Sequence, residues 1–117
     1  MNKDVNILIV DDNPFDRTFI IKLLENHEEN SYTFFEKDDG KDILKYIISN
    51  DISCVILDYD LPEMNGLEIL SLILFEDKTN SIPVIFITGK GDESIAVKAI
   101  KEGATDYIVK GTLNSEK

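Results

Sequence analysis

The chain has 117 residues, 43% apolar and 30% charged, which fits one folded domain with a real core and excludes a disordered chain. Its 23 acidic against 12 basic residues give a net charge of −11, which excludes non-specific affinity of this domain for nucleic acid. The single cysteine, Cys54, excludes an internal disulfide and, lying in an apolar run, reads as a buried, inert thiol in a reducing compartment.

Short β-branched runs alternate with longer segments of helical period, the pattern of successive βα units. The first strand is predicted over residues 6–10 and ends on Asp11-Asp12. Pro14 suits the first turn of a helix reaching about residue 28, with Phe15, Phe19, Leu23 and Leu24 on one face and His27 capping its end. Residues 32–37 make the second and least apolar strand, as an edge strand should be. Residues 40–50 make a second helix that buries Ile43, Leu44 and Ile47.

The third strand, 54–57, ends at Asp58 and leads into the turn Asp60-Leu61-Pro62-Glu63-Met64-Asn65-Gly66. Helix three follows over 67–75 with Leu67, Leu70 and Leu74 as its buried stripe. Ile69, Leu72, Ile73 and Phe75 are apolar too, so some must point away from the sheet, toward a partner, a homodimer contact or the 76–81 loop. Pro83 opens the fourth strand, which ends at Thr88, and Asp92 or Glu93 starts a helix that stops near Gly103. The last strand, 106–109, ends at Lys110, and residues 111–117 leave room for one turn of a fifth helix at most.

Four nearly all-apolar strands imply burial on both faces, hence a parallel sheet with helices on each side. Right-handed crossovers lead to an α/β, doubly wound, five-stranded order 2-1-3-4-5, a flavodoxin-like architecture with its fifth helix short or missing. Strands one and three then adjoin at the switch point, and Asp11, Asp12, Asp58, Thr88 and Lys110 meet at one rim. No stretch approaches a membrane span and the first residues carry no secretory pattern, so the chain is expected to be soluble and cytoplasmic, without repeats or internal linkers.

Three crowded carboxylates repel one another unless a hard divalent cation joins them, and magnesium prefers such oxygen ligands. Lys110 brings a second positive charge to the same point. Asp58 can then act as a nucleophile toward phosphorus, giving an acyl phosphate, and the Thr88 hydroxyl can donate to a phosphoryl oxygen.

From residue 6 through 110 the chain resembles a response-regulator receiver domain of two-component signalling. The resemblance rests on Asp11-Asp12, Asp58, Leu61-Pro62, Asn65-Gly66, Thr88-Gly89, Gly103-Ala104, Tyr107 and Lys110, in this order and at this spacing. It implies that Asp58 accepts a phosphoryl group from a phosphohistidine of a histidine kinase or histidine phosphotransfer protein. It further implies that Asp12, Asp58 and the backbone carbonyl of Asp60 bind magnesium, with Asp11 helping through water. Thr88 and Tyr107 would form the switch pair, and helix four, strand five and the start of helix five would pass the signal to an output domain or downstream protein. The domain is then a regulatory phosphoacceptor over residues 1–117, not an enzyme, and is expected to be part of a longer signalling protein.

Two departures stand out. Many receivers follow the lysine with proline and a cis peptide, whereas here Gly111 follows, which makes a trans bond or rearranged loop the expectation. The ending Tyr107-Ile108-Val109-Lys110-Gly111-Thr112-Leu113 also looks like receivers attached to sensor kinases. Two rival functions remain. One is a receiver-like adaptor independent of phosphorylation. The other is a haloacid-dehalogenase-type phosphatase suggested by Asp58-Tyr59-Asp60, which needs a longer chain with a cap and leaves Asp11-Asp12 unexplained.

Overall fold

A computed structural model describes residues 4–25, 31–89 and 91–110. Among the described residues, five strands alternate with four helices: β1 (Asp4–Val10), α1 (Pro14–Glu25), β2 (Ser31–Lys37), α2 (Ile43–Ser49), β3 (Cys54–Asp58), α3 (Gly66–Phe75), β4 (Val84–Thr88), α4 (Glu93–Glu102) and β5 (Asp106–Val109). All pairings are parallel and the sheet order is β2-β1-β3-β4-β5, as the alternation of apolar strands and helical segments requires. The expected short or absent fifth helix falls on residues 111–117, and His27 and the Lys110-Gly111 peptide likewise lie outside the described residues.

Side chains alternate across each strand and feed two cores. Leu8, Val10, Val55, Leu57, Val84 and Phe86 pack under α2, α3 and α4. On the opposite face Ile7, Ile9, Ile56 and Ile87 pack with Ile20 of α1.

The face of α1 differs from the expected one. Phe15 is 84% exposed and Leu23 41% exposed, while Ile20 is buried and Ile21 and Leu24 are half-buried. Of the expected Phe15, Phe19, Leu23 and Leu24, Leu24 does pack against the core, but in a stripe it shares with Ile20 rather than with Phe15 and Leu23. Helix α3 departs from its expected stripe in the opposite sense: Ile69, Leu70 and Ile73 are fully buried, Leu67 and Leu74 only half-buried, and Leu72 and Phe75 face outward. Helix α2 starts later than expected because Asp42, at φ 55°, is not helical. Cys54 is half-buried rather than buried, since it opens β3 at the lower edge of the sheet, and partial burial raises its thiol pKa.

Two local devices fix α3 and α4. The Asn65 side chain accepts from the Glu68 N–H at 3.0 Å while Glu68 accepts from the Asn65 N–H at 2.9 Å, a reciprocal cap on α3. Gly103 ends α4 at φ 124°, a conformation that a side chain disfavours.

Candidate functional site

The C-terminal ends of β1, β3, β4 and β5 bring Asp11, Asp58, Thr88 and Lys110 to one rim. The backbone beneath them is tightly tied. Asp11 N–H donates to the Lys37 carbonyl at 3.0 Å, and Tyr59 N–H donates to the Ile87 carbonyl at 3.0 Å. Gly66 N–H donates to the Tyr59 carbonyl at 2.9 Å, and a Cβ on Gly66 would stand 2.5 Å from the Asp58 carbonyl oxygen. Only glycine lets α3 approach the strand end this closely.

Asp11 and Asp58 are buried and Asp12 is exposed, yet one carboxylate oxygen from each lies within 4.8 Å of the other two. Asn13 N–H donates to Oδ1 of Asp11 at 2.9 Å, and Arg17 spans the Asp11 carbonyl and Glu36, donating to them at 2.5 and 2.8 Å. The Lys110 ammonium reaches Oδ2 of Asp11 at 3.2 Å, Oδ1 of Asp58 at 3.3 Å and Oδ2 of Asp16 at 2.9 Å. Oδ2 of Asp58 and the Thr88 hydroxyl are buried without a hydrogen-bond partner among the described residues. Oδ2 of Asp11 has only the ion contact, with no aligned hydrogen bond.

Buried polar atoms without a hydrogen bond are costly, so a site that keeps three of them together, two without any partner among the described residues, is built to receive something. The titration behaviour agrees. Burial, then the charge of Asp11, pushes Asp58 up to about 7, with Lys110 opposing. Asp11 is also raised by burial, against the Asn13 hydrogen bond and Lys110. For Lys110, burial acts to lower the pKa, but its hydrogen bond to Asp16 and the charges of Asp58 and Asp11 win and raise it. Crowded, protonation-prone carboxylates of this kind fit a divalent cation with oxygen ligands. Asp11, Asp12 and Asp58 are the residues placed to hold it.

The remaining expected residues sit around this centre. Thr88 pairs with Val109 and Phe86 with Tyr107, so Thr88 and Tyr107 share one face of the sheet a pleat apart. Tyr107 is 39% exposed on the edge strand, and Asp60 is exposed two residues beyond β3. A groove of about 590 Å³ beside α2, lined by Lys37, Asp39, Lys45 and Tyr46 among others, contains none of these groups. Asp16, Asn13 and Arg17 were not anticipated. Their signal was Asn13 directly after the acidic pair, in the position of a helix cap before Pro14, with Asp16 and Arg17 in the first turn that follows.

Among the described residues no helix is long and apolar enough to cross a membrane. Residues 7–116 match the family model of the response regulator receiver domain. The chain is 37% identical over 105 residues to the transcriptional regulatory protein SrrA of Staphylococcus aureus, covering 89% of this chain and 41% of that one. It therefore spans well under half the length of this relative. A response regulator receiver domain protein from Clostridium thermocellum superposes with a TM-score of 0.75 at 32% identity, over 91% of this chain and 82% of that one. The receiver domain of a signal transduction histidine kinase from Syntrophus aciditrophicus gives 0.76 at 26% identity, over 91% and 78%. With the sheet order, the clustered carboxylates and these matches in agreement, the chain belongs to the response regulator receiver domains.

Proposed function

We propose that this domain is a magnesium-dependent phosphoacceptor switch, with Asp58 taking a phosphoryl group from the phosphohistidine of a histidine kinase or histidine phosphotransfer protein. The observation that carries this reading is the buried Asp58 carboxylate, with Oδ1 beside Lys110 and Oδ2 unpartnered. An Asp58 oxygen forms the new O–P bond while the P–N bond of the donor breaks, its electron pair leaving with the imidazole. Magnesium, when bound, neutralises charge on the carboxylates and the incoming phosphoryl oxygens. Asp12, Asp58 and the Asp60 carbonyl would hold it, with Asp11 assisting through water. Lys110 balances the charge on a second phosphoryl oxygen.

The switch follows from what the buried Thr88 hydroxyl lacks. Unpartnered at rest, it gains an acceptor once a phosphoryl oxygen arrives, and Tyr107, on the same face, reorients as Thr88 moves. Helix α4 and β5, where Val97, Ile100 and Tyr107 are exposed, then present a changed surface to an output domain or downstream protein. Residues 1–117 form the receiver unit of a cytoplasmic signalling pathway. The domain modifies only itself and turns over no external substrate.

Incubation with acetyl phosphate and magnesium, followed by borohydride reduction and peptide mapping, tests the assignment. Conversion to homoserine at position 58 supports it. Reduction at another residue, or none in the folded protein, contradicts it.

A further inference from the structure

Asp16 enters the site with no role in the chemistry above. It stands in the first turn of α1, and its Oδ2 accepts a hydrogen bond from the Lys110 ammonium at 2.9 Å across 94 residues of sequence. Among the described residues this is the shortest of the three Lys110 ion contacts, since Asp11 and Asp58 lie at 3.2 and 3.3 Å. Asp16 is not one of the three carboxylates gathered for a cation, so its charge serves the lysine.

The two partners differ in how firmly they are held. The Asp16 backbone is fixed by the cap of α1, where Oδ1 of Asn13 accepts from the N–H groups of Phe15 and Asp16 at 2.9 and 3.2 Å. Arg17, the next residue, ties the same turn to the Asp11 carbonyl and to Glu36. Lys110, by contrast, follows a four-residue strand that, among the described residues, pairs only with β4 at the edge of the sheet. Its ammonium ends a flexible four-carbon stem, which loses much rotamer freedom when placed.

We propose that Asp16 is a positioning residue that anchors the Lys110 ammonium beside Asp58, so that the cation is in place before the phosphoryl group arrives. Its effect runs through Lys110. Fixing that side chain in advance removes an ordering cost from the transfer step. The inference rests on the phosphoacceptor reading of Asp58.

Rates of adduct formation from acetyl phosphate at saturating magnesium, followed by intact mass, test it in wild type, Asp16→Ala, Asp16→Asn, Lys110→Ala and Asp16→Ala/Lys110→Ala. Asp16→Ala should slow the maximal rate roughly 5- to 20-fold, within the range expected for a lost positioning contact. Asp16→Asn should slow it less, because the amide oxygen still accepts, and this near-isosteric variant carries the test if the alanine protein is unstable. In the Lys110→Ala background, loss of Asp16 should change the rate less than about twofold, as expected when two residues act as one unit. Asp16 variants as fast as or faster than wild type would overturn the proposal, the latter marking Asp16 as a competitor for the lysine. Equal slowing with and without Lys110 would also overturn it, assigning Asp16 to the fold alone. Failure of the wild type to form an adduct would overturn the phosphoacceptor reading itself and this inference with it.

Discussion

The Lys110 ammonium stands 3.3 Å from Oδ1 of Asp58, and Oδ2 of the same carboxylate is buried without a hydrogen-bond partner. One oxygen is thus electrostatically held while the other stays free. Lys110→Ala should keep the fold and partner binding but lower phosphoryl transfer from a small donor by roughly 100-fold, the usual cost of removing one charge-stabilising group. Stopped-time mass measurements check this, and normal transfer would refute the role given to Lys110.

The acceptor site should make the metal-free protein less stable as pH rises. Asp58 is raised from an ordinary value of 3.8 to about 7, by burial first and the Asp11 charge second. Between those values the folded chain keeps a proton that the unfolded chain has lost, so this contribution to stability is full below the unfolded value and disappears as pH passes the folded one. Asp58→Asn has no such proton to lose. Its stability advantage over wild type should grow between about pH 4 and pH 8, on the order of 2–4 kcal/mol. Denaturant unfolding of both proteins without metal measures it, and parallel pH profiles would contradict the assigned repulsion.

Magnesium should reverse that penalty. At a hundredfold excess over its dissociation constant a ligand specific to the folded state stabilises by about 2.7 kcal/mol. Melting temperature should therefore climb with magnesium in the wild type and stay nearly flat in Asp12→Asn and Asp58→Asn. Equal shifts in all three proteins would place the cation elsewhere.

Gly66→Ala should damage the site from behind. The new methyl would meet the Asp58 carbonyl oxygen at 2.5 Å and the Tyr59 Cα at 2.9 Å, both backbone atoms that cannot rotate away. A loss of about 1–3 kcal/mol is expected, together with slower phosphoryl uptake, because α3 must back away from the end of β3. Urea unfolding and uptake rates report the two effects, and a stable, fully active variant would show that the turn tolerates the shift.

Strand order and the gathering of Asp11, Asp12 and Asp58 were legible in the sequence, because apolar strands ending on acids leave few parallel arrangements. Helix rotation was not. In α1 the aromatic spacing of Phe15 and Phe19 suggests one stripe, whereas the sheet takes the stripe through Ile20 and Leu24. Asp16 precedes those two at i, i+4 and i+8, so the core-facing stripe begins with a carboxylate. A reading that turns Phe15 inward turns Asp16 toward solvent and misses its bond to Lys110. In α3, where nearly every residue is apolar, periodicity carries no phase at all, and only packing separates Ile73 from Leu72.

The central claim is tested most directly by intact mass after incubation with acetyl phosphate, with and without magnesium, for wild type and Asp58→Asn. One phosphoryl adduct on the wild type, dependent on magnesium and absent from Asp58→Asn, is the predicted result. An adduct on folded Asp58→Asn equal to that of the wild type would contradict it, because the buried carboxylate would not then be the acceptor.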